Sequence, residues 1–235
     1  HRFITDSDSE VAVHLYEESG LDFVTRLRGE FAIALWDEPK KQLIAVRDRF
    51  GVKPLLYAVT SDGILIASEA KALFAAGVTS EWDAESFYHS ASMQYVLPDR
   101  TLFRGIRQVP PGCLLIVTSS GQVRVQRYWT PPLSSDATLT QRAQTPDELI
   151  KRCRNALVDS VQTRLRADAR VCVQLSGGLD SSAVLGIAAT ASSEPVHAYS
   201  IAFGSPDYDE RNFALQAAQH AGACLHTIEI QQSDI

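Results

Sequence analysis

Val171-Cys172-Val173-Gln174-Leu175-Ser176-Gly177-Gly178-Leu179-Asp180-Ser181-Ser182 is the stretch that decides how this chain of 235 residues folds. Its first half is a short apolar run rich in β-branched residues, the pattern of a buried strand. The run breaks at Ser176-Gly177-Gly178 and resumes as Ser182-Ala183-Val184-Leu185-Gly186-Ile187-Ala188-Ala189, which suits a helix. Strand, small-residue turn and helix N-terminus together present free backbone N–H groups to an anion. Glycine lets the backbone approach closely because no Cβ intervenes, and Ser176, Ser181 and Ser182 add hydroxyl donors. Asp180 would repel a phosphate unless a Mg²⁺ ion bridged its carboxylate to the phosphate oxygens. The competing reading of the stretch is a tight turn capped by serines.

The Walker phosphate loop is longer and ends in Gly-Lys-Ser/Thr, and no lysine stands near this motif. Ser-Gly-Gly-x-Asp-Ser resembles instead the pyrophosphate loop of ATP pyrophosphatases. That resemblance implies cleavage of ATP between its α- and β-phosphates and adenylation of a carboxylate or similar oxygen.

The pattern continues on both sides. Downstream, a strand is expected at Val196–Phe203, a helix at Glu210–Ala221 ended by Gly222, and a strand at Leu225–Ile230. Alternating strands and helices argue a parallel sheet with right-handed crossovers, which binds nucleotides at the carboxyl ends of its strands. Upstream, Thr145-Pro146-Asp147-Glu148 opens a helix with a capping threonine, a proline at the first position and a glutamate three after the cap. Leu149, Cys153, Ala156, Val161 and Leu165 trace an apolar face on it. Residues 131–145, rich in proline, serine and threonine, are expected to be a linker between a domain at 1–130 and one at 146–235.

The first 130 residues have a different texture. His1-Arg2-Phe3-Ile4-Thr5 reads as a strand already under way, followed by Ser7-Asp8-Ser9-Glu10 with capping-box spacing and a helix closed by Gly20. Phe31–Trp36 is apolar throughout, as in a strand buried on both faces, and Leu43–Val46 returns beside it. Leu55–Val59 with Ile64–Ala67, and Leu114–Val117 with Val123–Tyr128, form hairpins whose short connections require antiparallel pairing. Helices are expected at Ala70–Ala76 and Asp83–Tyr95. The fold class is therefore α+β, with antiparallel sheets and helices, followed by α/β.

Bulk composition narrows the partners. Twenty-eight acidic and 22 basic residues give a net charge of −6, which disfavours a nucleic-acid-binding surface. No apolar run reaches membrane length. Cys113, Cys153, Cys172 and Cys224 are too widely spaced for a zinc pattern or a compact disulfide framework, so a reduced, cytoplasmic setting is expected. The six histidines show no ligand spacing.

Across nearly its whole length the chain resembles glutamine-hydrolysing asparagine synthetases. The residues that carry this are Phe3–Val11, Leu27-Arg28-Gly29-Glu30-Phe31-Ala32, Trp36-Asp37, Arg47–Leu55, Ser68–Leu73, Pro110-Pro111-Gly112, the pyrophosphate loop, Ser200–Phe203 and Tyr208-Asp209-Glu210. The resemblance implies the back part of an N-terminal-nucleophile glutaminase joined to the front of a synthetase domain, with pieces expected before His1 and after Ile235. It implies glutamine hydrolysis by an N-terminal cysteine, passage of ammonia through a tunnel, and capture by an aspartyl adenylate made from ATP. Asp8 takes the place of the aspartate that holds the glutamine α-ammonium; helix capping is its alternative role. Leu175 and Ile201 are implied to hold adenine through backbone contacts. ATP and Mg²⁺ are the implied cofactors, glutamine and aspartate or another carboxylate the substrates, and a homodimer is left open. A β-lactam-forming or secondary-metabolite relative, and a non-catalytic protein that keeps an ATP-binding loop, stand as alternatives.

Overall fold

The computed structural model describes residues 1–132, 145–203, 209–231 and 234. The expected linker lies outside the described residues except at 131, 132 and 145, and Tyr208 lies outside them too. The chain divides into two compact units, His1–Asp136 and Ala137–Ile235. The first is α+β and the second α/β.

In the first unit α1 (Ser9–Ser19) and α2 (Phe23–Arg26) precede β1 (Ala32–Asp37) and β2 (Gln42–Arg47). Then come β3 (Leu56–Thr60), β4 (Gly63–Ala67), α3 (Ala70–Ala75), α4 (Ala84–Met93), β5 (Ile106–Gln108), β6 (Cys113–Thr118) and β7 (Val123–Arg127). Two antiparallel sheets result, in the orders β1-β2-β6-β7 and β4-β3-β5. Alternation along the strands assigns each layer its partner. Ile44, Val46, Leu114 and Ile116 meet Ala12, Tyr16, Phe23 and Val24 of the helices. Ala45, Leu115 and Val117, on the other face of the same strands, meet Leu55 and Tyr57 next to the second sheet. Leu73 of α3 packs with Ala58 and Ile106. Each fully buried Leu, Ile or Phe contributes about 1.5–3 kcal/mol, so β2 and β6, buried on both faces, anchor the unit.

Several expectations are corrected here. His1–Thr5 is not a strand; the Glu10 carboxylate accepts from the Ile4 N–H (2.8 Å), the Thr5 N–H (2.8 Å) and the Thr5 hydroxyl (2.6 Å). That carboxylate is thus committed five and six residues back, and the capping box around Ser7 does not form. β1 is an edge strand buried on one face only, with Ile33 and Leu35 turned to the helices and Trp36 53% exposed. β5, a three-residue strand against β3, had no signal long enough to read.

In the second unit α5 (Pro146–Arg164) carries the full Thr145–Glu148 capping box. After it come β8 (Cys172–Gln174), α6 (Leu179–Ala191), β9 (His197–Phe203), α7 (Arg211–Ala221) and β10 (Cys224–Ile230). The three strands are parallel, in the order β10-β9-β8. Val173, Leu175, Leu185, Ala198, Ala214 and Ala218 form the core on one sheet face. Only Val161 of α5 and its C-cap Leu165 reach this core; Leu149 is half exposed, so the expected apolar face does not pack along its length.

Candidate functional site

The loop after β8 has the geometry of an anion cradle. Leu175 leaves the strand buried, its N–H donating to the Tyr199 carbonyl at 2.8 Å. Gly177 then takes φ +86°, and a Cβ there would lie 2.5 Å from the Ala214 nitrogen and from the Phe213 Cβ. Glycine is needed on both counts, for the left-handed backbone and for the close approach to the first turn of α7. Gly178 has ordinary backbone angles and is the N-cap of α6. The helix starts at Leu179, three residues before the sequence pattern suggested, so Asp180 and Ser181 belong to its first turn.

The donors divide into two groups. The Ser181 hydroxyl accepts from the Ser176 N–H (3.3 Å) and lies 3.1 Å from the Ser176 hydroxyl, which accepts from the Gly178 N–H (3.3 Å). These bonds fold the loop upon itself. The Ser182 N–H closes the first helical bond on the Gly178 carbonyl at 3.0 Å. The N–H groups of Leu179, Asp180 and Ser181 have no partner among the described residues. They are the unsatisfied first-turn donors of a thirteen-residue helix, where the macrodipole also favours negative charge. No described side chain engages the exposed Asp180 carboxylate, which leaves a hard oxygen ligand beside the cradle.

Ile201 lies further along β9, 54% exposed, in register with Ile228 of β10. Tyr199 turns its carbonyl toward β8, and backbone direction repeats every second residue, so Ile201 turns its N–H and C=O the same way. β8 has ended at Gln174 by that point. The strand therefore offers one donor and one acceptor at its open edge, beside buried Leu175. Asp209 at the start of α7 is held by Arg211 through bonds of 2.6 to 3.1 Å, which lowers its carboxyl pKa.

The first unit has a different kind of site. An open hollow of about 1450 Å³ runs along β1, lined by Asp8 and by Tyr16 of α1, with Arg28, Leu35, Lys53 and Ser68 among others. Asp8 occupies the N-cap position of α1, yet its side chain makes no capping bond. Its carboxylate is exposed at the rim of the hollow. Glu10, two residues on, is held at about pKa 2, chiefly by the Thr5 hydroxyl and then by the Ile4 and Thr5 amides. At the far end the Tyr16 hydroxyl donates to Asp37 at 2.5 Å, and this bond first, then the Lys40 amide, holds that carboxyl at about 2.

Beside the hollow, the loop from Arg47 to Pro54 is internally saturated. Asp48, 1% exposed, accepts from the Phe50, Val52 and Lys53 amides at 2.9 to 3.1 Å. The Arg47 guanidinium donates to the carbonyls of Gly51, Lys53 and Val109 and to the Gln108 side chain. Sequence reading missed Phe213 and Ala214 behind Gly177, which carry no local motif signal. Arg28 and Ser68 stand in stretches that carry the resemblance, and the structure adds their place around the hollow.

Comparison with known proteins agrees with this division. The profile of the glutamine amidotransferase domain matches residues 1–129, and that of asparagine synthase matches residues 152–235. Glutamine-hydrolysing asparagine synthetase 3 of Bacillus subtilis is 35% identical over 227 residues, covering 93% of this chain and 34% of that protein. Amidase chyE of Penicillium rubens is 37% identical over 188 residues, covering 80% of this chain and 27% of that protein. Amidase chry2 of Gibberella zeae is 38% identical over 186 residues, or 79% and 27%. The chain thus spans about a third or less of the length of these relatives. With one profile on each unit, the chain belongs to the glutamine amidotransferase domain family over its first unit, and its second unit matches the asparagine synthase family.

Proposed function

We propose that this chain carries parts of two half-sites of a glutamine-dependent, ATP-cleaving amide synthetase, with asparagine as the product. The observation that carries this reading is the cradle of Ser176–Ser182, whose first-turn donors are unengaged at the carboxyl end of a parallel strand. In this reading the amides of Leu179 to Ser181, with the hydroxyls of Ser176, Ser181 and Ser182, hold the β- and γ-phosphates of ATP. Gly177 and Gly178 let the chain approach those oxygens. The open backbone edge at Ile201, beside Leu175, holds adenine.

Asp180 fits a Mg²⁺ ion, being a single exposed carboxylate next to an anion cradle, and that ion when bound would offset the charge on the phosphates. A carboxylate oxygen of the acceptor attacks the α-phosphorus, the α–β bridge breaks, and pyrophosphate leaves with its electrons. The loop's donors are already oriented toward where that charge develops, so no reorganisation is required during the step. In the first unit Asp8 holds the α-ammonium of glutamine. The absence of a capping bond supports this, because the carboxylate is left available for a cation. A cytoplasmic setting fits the four free cysteines.

A second acceptor class is favoured by one observation: the two relatives named amidases, at 37 and 38% identity, resemble the chain at least as well as the asparagine synthetase at 35%. Amide formation on a substrate other than aspartate is therefore the alternative. Two measurements test the reading. Calorimetry of the chain with magnesium pyrophosphate should show binding that Gly177→Ala weakens at least about tenfold; no binding by the wild type would sink the cradle. Aspartate-dependent ATP–pyrophosphate exchange by the full-length gene product separates the acceptors, since exchange that ignores aspartate would exclude asparagine as product.

A further inference from the structure

We infer that His1, His14 and Glu17 form a site for a divalent transition-metal ion of the zinc type, independent of the Mg²⁺ proposed at Asp180. His14 lies on α1, with Glu17 one turn further along the same face. Glu10 ties Ile4 and Thr5 back to this helix, and the same fold-back brings His1 over it. The two imidazoles stack at 4.5 Å between centroids and 29° between planes, with Phe3 edge-on to His14 at 4.9 Å. One ligand atom from each of the three residues lies within 4.8 Å of the others. His1 Nδ1 is 3.5 Å from Glu17 Oε2, and His14 Nδ1 is 3.3 Å from the same oxygen. Ligands about 2.0–2.1 Å from a tetrahedral ion stand about 3.3 Å apart, so these separations need little adjustment.

The outer nitrogens provide an independent argument. His1 Nε2 lies 3.1 Å from Glu18 Oε1, and His14 Nε2 lies 3.1 Å from Glu10 Oε1. Each ring thus has its own carboxylate acceptor on the side away from the cluster. With the ring proton on Nε2, toward that outer carboxylate, the Nδ1 lone pair faces Glu17, the arrangement in which a carboxylate orients a metal-bound imidazole. Glu18 is steadied in turn by Arg26 at 2.6 Å. In that tautomer two lone pairs and a carboxylate converge on one region, where a metal ion would bridge them. Two imidazoles with one carboxylate suit zinc, cobalt or nickel and not magnesium or calcium, which take oxygen ligands. Three protein ligands leave one position for water. Bound there, the ion would clasp the first residues of the chain to α1, whose N-terminal end carries Asp8.

The experiment is titration of the metal-free chain with Zn²⁺ against a chelating indicator, with thermal unfolding followed in parallel. One equivalent should bind, the unfolding midpoint should rise, and excess Mg²⁺ should not compete. Glu17→Gln, a substitution of an exposed side chain, should weaken binding at least about tenfold, and His14→Ala about a hundredfold. Glu18→Gln, which removes only an orienting partner, should weaken it about tenfold. His226→Ala, in β10 of the second unit, should leave it unchanged. Circular dichroism confirms that each variant is folded, and nitrogen NMR of the zinc form should show Nδ1 coordination at His1 and His14. Failure of the wild type to bind, binding indifferent to both Glu17→Gln and His14→Ala, or loss of binding when only the His1 amine is acetylated would each overturn the proposal.

Discussion

Two loops in this molecule use glycine in the same way and then diverge. Gly51 in the first unit has φ +65°, and a Cβ there would lie 2.8 Å from Pro111 Cγ. Gly177 in the second has φ +86°, and its Cβ would fall 2.5 Å from α7. Both loops are therefore held against their surroundings at distances no other residue permits. In the loop from Arg47 to Pro54 the polar groups turn inward, with three amides on Asp48 and the Arg47 guanidinium spread over three carbonyls and a glutamine. In the loop of Ser176–Ser182 the serines bond within the loop, while the amides of the following helical turn have no described partner. A saturated loop is finished by folding. An unsaturated one is rigid and still has hydrogen-bonding capacity to offer, which is what a binding loop requires.

That difference predicts opposite phenotypes for the two aspartates. Asp48→Ala should act on stability, because it strands three amides that lose their shared buried acceptor. At about 1–3 kcal/mol for each unsatisfied donor, partly relieved by water, the loss should be about 4 kcal/mol. Denaturant unfolding of the first unit measures it, and pyrophosphate binding by the second unit should not change. Asp180→Asn should act on chemistry alone. Its carboxylate bonds to no described side chain, so unfolding should shift by less than about 0.5 kcal/mol. ATP–pyrophosphate exchange by the full-length gene product should fall by about 3 kcal/mol in barrier, or more than a hundredfold, with glutamine hydrolysis retained. Near-normal exchange would show that Asp180 only supports the helix end.

The next comparison is within one loop. Gly177→Ala should weaken magnesium pyrophosphate binding at least tenfold, because the left-handed backbone alone costs roughly 1–2 kcal/mol and α7 must also give way. Gly178→Ala should change binding by less than threefold, since its φ is −70° and the added Cβ would meet only the Ser176 hydroxyl at 3.4 Å. Equal effects at the two positions would show that general flexibility, rather than the approach to α7, explains the glycines.

Much of this architecture was legible because its signals are local. Ser176-Gly177-Gly178 lies between a β-branched run and an alanine-rich one, and the Thr145 capping box spans four residues. Short turns force the hairpins. Features set by distant partners were not legible. Phe31–Trp36 is equally apolar whether a strand is covered on one face or two, and its place at the sheet edge decides which. Glu10 has the spacing of a capping residue, yet the Ile4 and Thr5 amides compete for it and win. Asp8 was ambiguous between a cap and a ligand in the same way, and only the folded arrangement shows that its side chain makes no capping bond. The pyrophosphate motif says that Gly177 is required; that Phe213 and Ala214 stand behind it is visible only in three dimensions.

The smallest expected effect concerns the far end of the hollow and sharpens the contrast between saturated and unsaturated groups. Asp37 is a saturated carboxylate like Asp48: Tyr16, the Lys40 amide and the Lys40 ammonium all serve it. Its folded pKa is held down to about 2, with the Tyr16 hydroxyl as the largest cause. An unfolded aspartate titrates near about 3.9. A depressed folded value means that the unfolded state takes up the proton first, so the stabilisation is complete above about pH 4 and is lost as pH falls through about 2. Tyr16→Phe removes the main cause and raises the folded value toward the unfolded one. The variant should therefore be modestly less stable at pH 7, and the part of its acid-induced loss between pH 4 and 2 that Asp37 contributes should shrink. Unfolding midpoints measured every half pH unit for both proteins make the test. Parallel curves would show that the Tyr16–Asp37 bond contributes packing but no proton linkage; curves that converge toward low pH would confirm that a carboxylate committed within the fold makes the fold sensitive to acid.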